Sequence, residues 1–275
     1  MALLLLGGLA PLNNRWLPPL ATATLLECVA FLVPMAVFGV IQRRLGTPLR
    51  MRLRLAPPFW PLTFFVAGAV SLLSFFLNYL MALATGGALL EGTTYDAVSR
   101  FGGAPGWLLV LALALLPALV EELFFRGALL SGLEKWGQGA AILVSSLCFA
   151  LVHGSAANFL GPLVAGLLFG YLTVITGSLW PAVVGHLCNN LVYLWMGYVL
   201  KRYAAFGIWP YFLLITVALL FVFTYLAASS LERLVEKGRA PRLKGAIGPW
   251  AAVQKLACPG VLATAVLFIL KLVLL

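Results

Sequence analysis

"PGWLLVLALALLPALVEELFFRGALLSGL", residues 105–133, is an apolar run interrupted by two adjacent acids, Glu121 and Glu122, and by Arg126. About 20 apolar residues cross the hydrocarbon core of a bilayer, so the run is long enough to span one. A carboxylate at the bilayer centre costs at least about 2.5–3.5 kcal/mol on insertion scales, which marks intramembrane acids as functional-site candidates. The fold therefore turns on whether the rest of the chain reads the same way.

It does. Of 275 residues, 63% are hydrophobic and only 9% charged, with a mean hydropathy of +1.06. Soluble domains carry roughly 25% charged residues. Further apolar runs cover residues 16–41, 58–85, 138–154, 157–176, 178–200, 207–230 and 256–275. The chain reads as an all-α, polytopic transmembrane bundle of about eight helices. It forms a single integral membrane domain over 1–275, with its distinctive residues in 105–200. No internal repeat, low-complexity tract or long soluble loop interrupts it, so any chemistry sits in or at the membrane. The start, "MALLLLGGLAPL", lacks a basic flank and reads as a retained leader or interfacial piece.

The net charge of +10 comes from 18 Lys+Arg against 8 Asp+Glu, a balance that in a soluble protein would suggest nucleic acid. Here the positives cluster beside apolar runs. "QRRLGTPLRMRLR" (42–54) has five arginines, and "LERLVEKGRAPRLKG" (231–245) has five basic residues and two acids. The positive-inside rule accounts for both and puts both on the cytoplasmic side. Eight spans place those two connections on one face, the 86–104 loop with Glu91, Asp96 and Arg100 on the other, and both termini outside the cytoplasm. The expected setting is a prokaryotic plasma membrane, with the bilayer and not nucleic acid as partner.

The four cysteines, Cys28, Cys148, Cys188 and Cys258, lie in apolar segments without a C-x-x-C pair and read as packing residues. The two histidines are more informative. His153 in "FALVHG" and His186 in "GHLCNN" both fall in apolar runs. Hydrocarbon offers imidazole no partner, so each must face protein or a wet cavity. Of the acids, only Glu27, Glu121 and Glu122 fall within spans; Glu27 has no charged neighbour in sequence and reads as a residue bridging helices.

Helical geometry tests whether these residues can meet. With a hairpin pivoting at Trp136 and Gly137, Glu121 and His153 each lie roughly 23 Å from the turn at 1.5 Å per residue. His186 and Asn190 lie roughly 12 and 18 Å in from the same face, near enough in depth for a shared site. Glu122 and Arg126 are i,i+4 with the acid first, the favourable order for a helical ion pair. Glu121 is turned about 100° from Glu122, and Asn189 by the same angle from Asn190, which makes Asn189 the weaker candidate.

"EELFFR", "FALVH" and "HLCNN" resemble the E-E-x-x-x-R, F-x-x-x-H and H-x-x-x-N motifs of the CPBP family of intramembrane proteases, which includes the CAAX prenyl endopeptidases. The resemblance covers residues 117–190. It implies that Glu121 and His153 activate water, that His186 and Asn190 stabilise the oxyanion, and that Glu122 and Arg126 support them. It also implies a membrane-associated peptide substrate, prenylated or not. The residue types suit this, since peptide hydrolysis needs a base for water, donors for the oxyanion and a proton for the leaving amine.

Three other readings stay open. Glu121, His153 and His186 make a His₂Glu set that could hold catalytic zinc, although no H-E-x-x-H is present and Asn190 would then be the sole evident oxyanion donor; metal-free glutamate chemistry is favoured. A proton-coupled transporter could use the same buried Glu and His residues, and a non-proteolytic scaffold or bacteriocin-immunity protein could share the motifs.

Overall fold

The computed structural model describes residues 18–86, 101, 104–203, 206–207, 209–239 and 259–274. Most of the 86–104 loop, with Glu91, Asp96 and Arg100, lies outside the described residues, as do the N-terminal stretch, residues 240–258 and Cys258.

Eight helices, with no strand, make up the fold among the described residues. They are α1 (Pro19–Arg44), α2 (Trp60–Thr85), α3 (Gly106–Trp136), α4 (Gln138–Val152), α5 (Leu160–Thr176), α6 (Trp180–Tyr203), α7 (Trp209–Glu236) and α8 (Pro259–Leu274). Proline opens five of them. Pro19, Pro61, Pro181, Pro210 and Pro259 fall at the first or second helical position, where no intrahelical partner is lost. Gly177, at φ +62°, closes α5.

The helices α1, α2, α3 and α7 are long and apolar enough to cross a membrane by length and composition. The helices α4, α5 and α8 are apolar but shorter, at 15, 17 and 16 residues. The 24-residue α6 is diluted by His186, Asn189 and Asn190. Burial divides the bundle into a core and a wrapping. Leu214, Phe221 and Tyr225 of α7 and Leu25, Val33 and Val37 of α1 are exposed, as lipid-facing side chains are. Four polar residues of α2, Thr63, Ser71, Ser74 and Asn78, are buried, and Thr85 at its end is exposed.

Clusters at one end of the bundle fix the direction of the helices. Ala56 and Phe59 before α2, Ile175 near the end of α5 and Leu234 near the end of α7 pack together. Leu133 of α3, Ala141 of α4 and Val261 of α8 form a second cluster. Chain-order neighbours thus alternate in direction, as short connections require.

The interior helix α3 is irregular. Two stretches, Leu111–Leu115 and Leu123–Leu130, adopt π-helical hydrogen bonding, on either side of the α-helical Leu116–Glu122. Pro117 accounts for the first: without an N–H, its ring displaces the carbonyls of the preceding turn. Wide turns of this kind concentrate at functional sites, and the second begins immediately after the paired acids.

Candidate active site

The helix α4 stops early. The apolar run predicts helix to residue 154, whereas the helix ends at Val152 and His153 follows as its cap. Gly154 adopts φ +63° and donates its N–H to the Leu151 carbonyl, a left-handed turn that diverts the chain. At 15 residues, α4 is about 22 Å long, so the 153–159 turn lies at membrane depth. Non-helical backbone is tolerated there only when enclosed by protein, and Gly154, Ser155, Ala157 and Asn158 are buried.

Beside this turn lies a small, partly open cavity. His153, His186 and Asn190 all line it, with Ser74 of α2, Phe149 of α4, Phe169 of α5, and Asn158, Asn189 and Tyr193. Three of the four residues expected to act in catalysis are therefore brought together. The supporting pair sits directly behind them. Arg126 Nη1 donates to Glu122 Oε1 at 2.8 Å, and His186 Nδ1 lies 2.9 Å from the same oxygen. Glu122 and Arg126 are fully buried, and the Arg126 guanidinium lies 4.3 Å from the Phe149 ring centroid. Phe149 also meets the His186 ring edge-on at 5.5 Å.

These contacts set the protons on the imidazoles. His153 Nδ1 lies 2.8 Å from the Phe149 carbonyl oxygen, which only accepts, so Nδ1 carries the proton of the neutral ring. His186 likewise directs Nδ1–H at the Glu122 carboxylate. It donates from Nε2 only as imidazolium, with Glu122 as counter-ion. Asn190 donates from Nδ2 to the Ala114 carbonyl, inside the first π-helical stretch, at 3.3 Å. Its second Nδ2 proton remains.

Glu121 is placed differently. It is not among the side chains lining the cavity; its carboxyl hydrogen-bonds that of Glu27 on α1. The packing agrees, because one turn further along both helices Phe31 meets Phe124 and Phe125 with ring centroids 5.7 Å apart. Glu121 Oε2 is buried without a hydrogen-bond partner among the described residues. Among those residues no three His, Cys, Asp or Glu side chains are grouped to hold a metal ion, so Glu121, His153 and His186 do not fit a zinc shell as they stand.

Residues 103–192 match the family model described as type II CAAX prenyl endopeptidase Rce1-like. The segment is Rce1-like. It runs from the approach to α3 through most of α6 and contains all six residues singled out from the motifs, while α1, α2, α7 and α8 lie outside it. No curated protein and no solved structure matches the chain.

Three polar cavity residues escape motif reading: Ser74, Asn158 and Tyr193. Tyr193 carries a usable signal, since it lies seven residues after His186 and three after Asn190, on the same stripe of α6. Ser74 and Asn158 carry none, because the first is on a helix outside the Rce1-like segment and the second is in a turn that the apolar run conceals. The contact between Glu122 and His186, 64 positions apart, is equally invisible in sequence.

Proposed function

We propose that this chain is an intramembrane endopeptidase whose eight helices all cross the bilayer as one domain, and which hydrolyses a peptide bond of a lipid-anchored, CAAX-type substrate. The carrying observation is the convergence of His153, His186 and Asn190 on one cavity, backed by the buried Glu122–Arg126 pair. Glu121 and His153 activate water, the first turning its carboxyl from Glu27 toward the cavity. Water attacks the scissile carbonyl, its proton passes to Glu121, and the oxyanion is held by Asn190 Nδ2–H and imidazolium Nε2–H of His186. Glu121 then returns the proton to the leaving amine, giving a carboxylate and an amine. The chemistry needs no metal.

The bond between Glu122 and His186 favours a second assignment within the same activity. A carboxylate on Nδ1–H fixes the tautomer that leaves Nε2 basic, the arrangement by which buried acids orient histidine bases. His186 would then be the base and Glu122 its orienting partner.

Two isosteric substitutions separate these roles, read as turnover of a prenylated CAAX-type peptide by purified protein. With Glu121 as base, Glu121→Gln falls to background while Glu122→Gln lowers thermal stability and leaves measurable turnover. With His186 as base the pattern reverses. Wild-type turnover in both variants would remove both Glu121 and Glu122 from the mechanism.

A further inference from the structure

Asn78 of α2 is fully buried, and each polar hydrogen and acceptor of its amide is assigned by a neighbour. The Gly161 N–H donates to Oδ1 at 3.0 Å. A backbone N–H can only donate, so the oxygen must face Gly161 and the nitrogen must face the other way. Nδ2 then donates one proton to Asn158 Oδ1 at 2.6 Å and the other to the Tyr193 hydroxyl oxygen at 2.7 Å.

The last bond has a consequence for the phenol. A phenolic O–H lies in the ring plane and has two orientations; one is occupied by the incoming Asn78 N–H, so the proton takes the other. The Tyr193 ring itself is held against Phe75 at 5.8 Å between centroids and is 4% exposed, so it cannot swing away. Tyr193 lines the cavity on the same stripe of α6 as His186 and Asn190. We propose that Tyr193 is a substrate-binding residue of this cavity, its hydroxyl proton turned inward by Asn78 to donate to a backbone carbonyl of the bound peptide. Asn78 is the positioning residue. Both lie outside the Rce1-like segment, Tyr193 by a single residue.

The proposal rests on the endopeptidase reading and is tested on the full-length protein with the same prenylated CAAX-type peptide. Tyr193→Phe removes the hydroxyl and keeps the ring. Losing one neutral hydrogen bond to substrate raises KM about three- to tenfold, with kcat within about twofold of wild type. Asn78→Asp replaces the donor with an acceptor that draws the Tyr193 proton away from the cavity. It raises KM to the same extent although the hydroxyl is still there, which a packing role for Tyr193 does not predict. Circular dichroism and thermal unfolding establish that each variant is folded, and if Asn78→Asp is not, Tyr193→Phe decides alone. An unchanged KM in Tyr193→Phe overturns the proposal while leaving the endopeptidase reading intact. A wild-type protein that cleaves no prenylated or unprenylated peptide overturns both.

Discussion

Glu122 Oε1 receives Arg126 and His186 together, while Arg126 Nε and Nη2 are buried without hydrogen-bond partners among the described residues and face the Phe149 ring. Each charge is tolerable only because the other is present. Arg126→Met strands the Glu122 carboxylate in the core, so it is expected to lower unfolding stability in detergent by about 3–5 kcal/mol. Adding Glu122→Gln should recover much of the loss, because the two side chains act as a unit. A single variant with an unchanged unfolding midpoint would refute the coupling. Metal dependence is also decided by individual residues. Since Glu121 is held against Glu27 and not grouped with the histidines, exhaustive chelation is expected to leave turnover unchanged, with no stoichiometric zinc by elemental analysis. Activity lost to a chelator and restored by zinc would redraw the site. At this scale the sequence was partly legible. The i,i+4 pair of Glu122 and Arg126 follows from helical spacing, and the depths of His153, His186 and Asn190 follow from rise per residue. The turning of Glu121 toward Glu27 did not, because which neighbour a side chain meets depends on how α1 packs, and hydropathy carries no such information.

Apolar run length located the eight helices of the described residues, of which α1, α2, α3 and α7 are long and apolar enough to match a bilayer. What it missed is irregularity inside the apolar runs. The first π-helical stretch of α3 occurs where the sequence is uniformly apolar, so no composition change announces it, whereas the second carries Arg126 and the 153–159 turn carries His153, Ser155 and Asn158 inside apolar runs whose length alone predicts unbroken helix. These departures build the site: one carries the Ala114 carbonyl that engages Asn190, and the other caps α4 with His153. The position of α4 depends in turn on small residues against α5. A Cβ at Gly166 would come within 2.8 Å of Ser146 Cβ and 3.0 Å of its Cα, and backbone atoms cannot yield cheaply. Close helix contact through small residues is the usual means of packing in lipid. Gly166→Val is therefore expected to destabilise the protein by about 1–3 kcal/mol and to reduce kcat by displacing His153 on α4. Thermal unfolding and turnover measured together test this; a fully active, equally stable Gly166→Val protein would show that the α4–α5 contact is not close.

Across the whole molecule, one end of the bundle is tied by a basic strap, residues 45–56. The Arg50 N–H donates to Ser131 Oγ at 2.7 Å, Arg52 pairs with Glu134, and the Arg52 and Leu53 carbonyls accept from Leu179 N–H and Trp180 Nε1, each at 2.8 Å. Arg52 takes φ +51°, the one non-glycine among the described residues with positive φ, and the contacts on either side hold it there. The strap therefore lies on the face where α3 ends, α6 begins and, through Leu234, α7 ends. Five arginines at positions 43–54, together with Arg233, Lys237 and Arg239, put most of the positive charge of the described residues on this face. By the positive-inside rule this face is expected to be cytoplasmic. Arg50 and Arg239 are both exposed, so cysteines placed there report sidedness once Cys28, Cys148, Cys188 and Cys258 have been replaced. In intact cells neither Arg50→Cys nor Arg239→Cys should react with a membrane-impermeant maleimide, and both should react after permeabilisation. Labelling of both in intact cells would invert the orientation. Labelling of only one would break the alternation of helices, because the strap and the end of α7 share one hydrophobic cluster and cannot face opposite sides of a membrane.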